Sequence, residues 1–205
     1  GGGGGGGVKR ITVGVIGAGK NTVDRHLPQL LLQDGVHVKA VCNRSLASSE
    51  RVARKFRIER ACVDPADILD DDEIDAVVIG TWPYVHHRYV LAALERNKHV
   101  MVEARMAMNA AEAEDMLRAA RQRPQLVAQV VPSPLTLKLD ATVAAKVADE
   151  AAFGRLLFVD VVWNKGAFAP ERGAPLTWRE RRDLSGNNVM MLGIFYEALV
   201  RWVGE

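Results

Sequence analysis

Short apolar runs rich in β-branched residues alternate along this chain with longer segments whose apolar residues recur at helical spacing. The runs are Val8–Ile16, His37–Cys42, Ala61–Val63, Ile74–Ile79, Lys98–Val102 and Leu126–Val131. The spacing predicts helices over Asn21–Leu32, Ser45–Phe56, Tyr84–Arg96 and Asn109–Gln122. Asp64-Pro65 opens a further short helix, and Ser45 is placed to cap its own. Strands that are apolar throughout, rather than at every second residue, are buried on both faces. With connections this short, that means a parallel sheet covered by helices on each side. The expected fold is a doubly wound α/β domain over residues 8–131.

Beyond Pro132-Ser133-Pro134 the rhythm changes. A helix is predicted over Leu135–Asp149, a turn at Gly154-Arg155 and a long strand over Leu156–Asn164. A loop follows over Lys165–Gly186, then an apolar helix over Asn188–Val203. One strand and two helices cannot close a core of their own. Residues 132–205 are therefore expected to begin an α/β domain that this chain leaves incomplete. The opening Gly1–Gly7 carries no side chain to pack and is set aside as a linker, tag or artefact.

Several functions are excluded on composition. The 205 residues are 48% hydrophobic and 25% charged, enough for a sizeable core, and the net charge of +2 is too small to argue for nucleic acid. Arg179, Arg181 and Arg182 form a short basic cluster that Asp183 follows. Cys42 and Cys62 lie in apolar surroundings and read as two thiols in a reducing compartment. No metal-ligand spacing appears, no run is long enough to span a bilayer, and no secretory signal pattern is present. A cytoplasmic protein acting on a small molecule is expected, with no membrane or nucleic-acid partner.

The stretch VGVIGAGKNTVDRHLP sets Gly17 and Gly19 between the first strand and first helix. In a dinucleotide fold the first glycine makes the tight turn and the second lets the backbone approach a pyrophosphate. The helix start, here Lys20, Asn21 and Thr22, offers N–H donors. Thr22 stands where a third glycine is usual. At the end of the second strand, an acid would bind the ribose hydroxyls of NAD and repel a 2′-phosphate. Asn43, Arg44 and Ser45 offer donors and a positive charge instead. NADP is expected over NAD, with Ser45 also able to cap the next helix.

These motifs, with DEIDAVVIGTWPYVHHRYVLAALERNKHVMVEARMAMNAAEAEDML and FGRLLFVDV downstream, resemble the Gfo/Idh/MocA family of NAD(P)-dependent oxidoreductases. The resemblance implies an N-terminal Rossmann domain and a C-terminal open-sheet α/β domain, often used to form homo-oligomers. It also implies cofactor contacts from the segment after the third long strand: Thr81, Trp82, Pro83 and His86 stand there. Trp82 and Tyr84 would pack against the nicotinamide or its ribose, or cover the sheet edge.

The family's Glu-Lys-Pro is here Glu103-Ala104-Arg105, continuing to Met106, which marks a variant subgroup. Glu103 and Ala104 fall beside the cofactor in that alignment. The family's downstream Asp, Gly, His and Asp align with Met191, Gly193, Phe195 and Ala198, none of which except the glycine is retained. The usual proton-transfer set is thus absent at two places. Glu103, Tyr196, Glu197 and Tyr84 remain as candidate acid/base groups, and Arg105, Trp163, Asn187 and Asn188 as candidate contacts to a small, polar, sugar-like substrate. The competing reading is a catalytically silent nucleotide-binding or assembly protein of the same fold.

Overall fold

The structure, a computed structural model, describes residues 10–132, 138–162, 175–186 and 193–204, with the backbone alone over 193–196. The chain divides into two compact units. One runs to Val131 and regains Asp183–Gly186, and the other comprises Pro132–Arg182 and Asn187–Glu205.

In the first unit β1 (Ile11–Ile16), β2 (Val36–Cys42), β3 (Arg60–Cys62), β4 (Ala76–Ile79), β5 (His99–Val102) and β6 (Ala128–Val130) form one sheet. Its order is β3-β2-β1-β4-β5-β6 and every pairing is parallel. The connections carry α1 (Leu27–Leu31), α2 (Leu46–Phe56), α3 (Ala66–Leu69), α4 (His86–Glu95) and α5 (Ala110–Arg121). Both sheet faces are buried. Val13, Val15, Val41 and Val78 pack with Leu27, Val52 and Ala53, while Ile16, Val77, Ile79 and Val102 pack with Val90, Leu94 and Met116. That two-sided burial is why the strands read as unbroken apolar runs. The fold is the Rossmann-type doubly wound sheet expected. Its strand order reverses between β1 and β4, where α/β sheets open a crevice at their C-terminal edge.

Local chemistry fixes the helix starts. The Ser45 side chain accepts the Ser48 N–H, and Asn109 accepts that of Glu112. Asp64 accepts from Ala66 N at 2.9 Å, although α3 begins at Ala66 and Pro65, rather than Asp64, takes the cap position.

The first helix departs from expectation. Thr22–His26 form a π-turn before α1, closed by the Leu27 N–H donating to the Thr22 carbonyl five residues back. Pro28 is the physical reason: it has no N–H to offer the Asp24 carbonyl, and its ring would crowd that oxygen, so the turn widens. Similarly, Pro83–Val85 form a 3₁₀ turn ahead of α4, where a continuous helix from Tyr84 was predicted.

In the second unit α6 (Asp140–Ala148), α7 (Glu150–Phe153), α8 (Arg182–Ser185, shared with the first unit) and α9 (Gly193–Val203) are helical. The Asp140 carboxylate ties α6 to α9, accepting from Trp202 Nε1 at 2.7 Å and Arg201 Nε at 2.8 Å. The predicted strand from Leu156 does not form over its described part, which ends at Val162. Leu157, Phe158 and Val162 are 80%, 79% and 76% exposed. A strand exists only through its neighbours, and among the described residues this one has none. No helix among the described residues is long and apolar enough to cross a membrane.

Candidate dinucleotide site

The crevice between β1 and β4 is shaped by three glycines with different duties. Gly17 has φ +86°, and a Cβ there would stand 2.6 Å from Thr81 N and 2.8 Å from Thr81 Cα, so both conformation and space demand glycine. Gly80, which the sequence reading passed over, lies so close to the Thr22 hydroxyl and the Gly17 carbonyl that no side chain fits. Gly19 is different: the nearest atom to a Cβ there would be the Gly80 carbonyl oxygen at 3.9 Å. Protein packing does not require glycine at 19, and the bare backbone faces open space.

The residues around this turn are held in two networks. The Asn43 amide supports the turn from β2: its Oδ1 accepts the Ala18 N–H at 2.7 Å and its Nδ2 donates to Ser48 Oγ at 3.0 Å. Ser49 Oγ accepts from Asn43 N at 2.8 Å and donates to the Cys62 carbonyl at 2.5 Å, linking β2 to β3. Asn43 therefore positions the glycine turn rather than offering its amide outward. Thr22, 1% exposed, donates its hydroxyl to the Gly17 carbonyl at 3.2 Å and closes the helix against β4 instead of facing a ligand. Ser45 caps α2, and Lys20 pairs with Asp24 on the surface. The Arg44 guanidinium lies over the Trp82 ring, 4.7 Å from its centroid.

The second network lies at the end of β5. Glu103 accepts from Asn21 Nδ2, from His26 Nε2 and, at 3.2 Å, from the Ala104 N–H. His26 and Glu103 side chains are 15% and 14% exposed. Burial pulls the Glu103 carboxyl upward, but the bonds from His26 and Asn21, the His26 charge and the Ala104 amide outweigh it, leaving it below the usual glutamate range. Sequence reasoning missed His26. Its signal was present, since a histidine in the first helix faces the strand end that carries a carboxylate once the sheet order is known.

His86, expected beside the cofactor, is fully buried. Its Nδ1 meets the Arg105 carbonyl at 2.6 Å and its Nε2 the Thr81 carbonyl at 2.9 Å. It ties the loops after β4 and β5 together. Burial lowers its pKa, against the pull of the Thr81 and Arg105 carbonyls and the Glu103 charge. Pro83 is also buried, opening its 3₁₀ turn. The Thr81 hydroxyl is buried with no hydrogen-bond partner.

Ala104, where the aligned lysine would stand, is followed by a cis peptide to Arg105. Arg105 Nη1 donates to the Ser185 carbonyl at 3.1 Å, within the first unit. Next to it, Gly186 (φ +69°) seats against Met108, whose Cα a Cβ would meet at 2.6 Å. Arg105 thus anchors the returning segment, a structural duty alongside the substrate contact expected of it.

Tyr84 is exposed. Glu197 is exposed on α9 of the second unit, and the Tyr196 side chain, Trp163, Asn187 and Asn188 lie outside the described residues. Among the described residues no three His, Cys, Asp or Glu side chains group as metal ligands would.

Comparison with known proteins adds to this geometry. A model describing an oxidoreductase family with an NAD-binding Rossmann fold matches residues 11–130. A dTDP-3,4-didehydro-2,6-dideoxy-alpha-D-glucose 3-reductase of Streptomyces antibioticus is 38% identical over 114 residues, covering 56% of this chain and 34% of that protein. A levoglucosan dehydrogenase of Pseudarthrobacter phenanthrenivorans is 27% identical over 75% of this chain and 38% of its own length. Among solved structures, a 3-ketoreductase from Actinomadura kijaniata in complex with NADP and TDP-benzene is 28% identical. Its TM-score is 0.60, with 69% of this chain and 43% of that one covered. The chain thus spans 34% to 43% of the length of these relatives.

Proposed function

The chain belongs to the Gfo/Idh/MocA oxidoreductase family, whose fold binds NAD(P), and on that premise we propose an NADP-linked oxidoreductase acting on a small, polar, sugar-like substrate. The observation that carries the reading is the bare backbone at Gly19, where the fold leaves room that its own packing does not use. The buried, unpartnered hydroxyl of Thr81, the residue packed against Gly17, supports the same ligand. Sugar-like substrates are the class acted on by the named reductase and dehydrogenase relatives.

The residues present fit the cofactor. Gly17, Gly19 and the amides of Lys20 and Asn21 would receive the pyrophosphate at the helix start. No acid stands at the end of β2, and Arg44 makes neither an ion pair nor a hydrogen bond among the described residues. Its donors are therefore available to a 2′-phosphate, which supports NADP over NAD.

When bound, the nicotinamide supplies or accepts the hydride. The protein's part is to handle the accompanying proton without the family's lysine. Glu103, held in its ionised form, is a poor proton donor but orients His26 through Nε2. The His26 Nδ1 has no partner among the described residues, which leaves it to exchange a proton at the crevice. Ala104 favours a second reading, nucleotide binding without turnover.

Titrating the protein with NADPH and NADH, followed by nicotinamide fluorescence, tests the assignment. Tighter NADPH binding is expected; tighter NADH binding refutes the cofactor, and no binding by either refutes the function. Oxidation of bound NADPH by keto-sugars would support the enzyme. Its absence across aldehydes, ketones and imines would support the silent reading.

A further inference from the structure

β2 and β4 flank β1, so a contact between their C-terminal ends spans the end of β1, where the glycine turn begins. Arg44 follows β2, Trp82 follows β4, and the guanidinium over the indole is that contact, at 4.7 Å. Arg44 is otherwise exposed and, among the described residues, makes no salt bridge or hydrogen bond. A free arginine at the surface samples many rotamers, and fixing them to grip an anion costs side-chain entropy. Stacking on an indole removes much of that freedom beforehand. It also leaves the planar fork of N–H donors at the guanidinium edge, where a phosphate binds bidentately.

We infer that Trp82 sets the cofactor specificity of this chain as a positioning residue, by holding Arg44 where the 2′-phosphate of NADP must be met. The inference rests on the NADP reading above. It also gives Trp82 a place at the adenosine end, where the family resemblance allowed either a nicotinamide contact or a cover for the sheet edge. Nothing in the stack discriminates against NADH. Its effect is confined to the one group by which the two cofactors differ.

The test uses binding alone, with dissociation constants for NADPH and NADH measured on the wild type, W82L, W82F, R44L and the R44L/W82L double variant. W82L is expected to weaken NADPH about two- to fivefold while leaving NADH nearly unchanged, so that the preference shrinks. W82F keeps a ring for the cation and should restore most of it. R44L should remove roughly ten- to a hundredfold of preference, and adding W82L to it should change the ratio no further. Equal weakening of both cofactors by W82L, or an undiminished effect of W82L on the ratio without Arg44, overturns the role given to Trp82 while leaving the NADP reading intact. Failure of the wild type to prefer NADPH overturns that reading, and the inference with it.

Discussion

At the scale of single residues, two glycines two positions apart separate structural from functional demand. Gly17→Ala would place a methyl group against the Thr81 backbone in a left-handed conformation, so it should lose about 2–4 kcal/mol of stability. Gly19→Ala meets only the Gly80 carbonyl oxygen, at an ordinary van der Waals distance of 3.9 Å, and should fold with stability within about 0.5 kcal/mol of the wild type. Its methyl would occupy the space a pyrophosphate needs, so NADPH should bind at least about tenfold more weakly, as lost backbone hydrogen bonds to a charged group imply. Urea melts and fluorescence titrations of both variants decide this. A Gly19→Ala protein that binds NADPH as the wild type does would remove the turn from the site. The sequence marks both positions as glycine and cannot separate them, because the difference lies in where Thr81 and Gly80 sit, and they follow β4, some sixty residues away.

At the scale of elements, local chemistry was the most legible part of the chain. The capping roles of Ser45 and Asn109 and the Asp-Pro start before α3 are all decided by neighbours within a few residues. Ser45→Ala should therefore cost about 1 kcal/mol, with NADPH affinity changing far less than in R44L, because the Ser45 hydroxyl serves α2. Thermal melts and the same titration check both halves of that statement. The π-turn was not legible, although Pro28 was plainly visible, because a proline in a first turn is compatible with an ordinary α-helix start as well. The strand predicted from Leu156 fails for the opposite reason. Its apolar run is genuine, but a run specifies only a tendency, and pairing is decided by what lies alongside.

At the scale of the whole molecule, alternation alone determined a wound parallel sheet, since covering both faces leaves few other topologies. The candidate site was half legible. Its glycines and Arg44 are read in sequence order, whereas Glu103 with His26, and Trp82 with Arg44, become neighbours only through the β3-β2-β1-β4-β5-β6 order. Those long-range ties also govern the response to acid. Both His86 and Glu103 have folded pKa values below their ordinary ranges, so the unfolded chain binds protons more readily and stability falls as pH falls. His86 contributes first, as pH drops through the ordinary histidine range, and Glu103 below the ordinary glutamate range. Melting temperature against pH should show that E103Q flattens the lower part of this decline and leaves the upper part in place. A parallel loss in wild type and E103Q throughout would disprove the assignment to Glu103.

The return of Asp183–Gly186 to the first unit has a practical meaning for anyone dissecting this protein. A fragment cut after Val131 would keep the whole sheet yet lack the carbonyl that receives Arg105 and the close-fitting glycine beside Met108. Such a fragment would carry an open seam next to the strand end where Glu103 sits. Its cofactor affinity would then understate that of the chain from which it was taken.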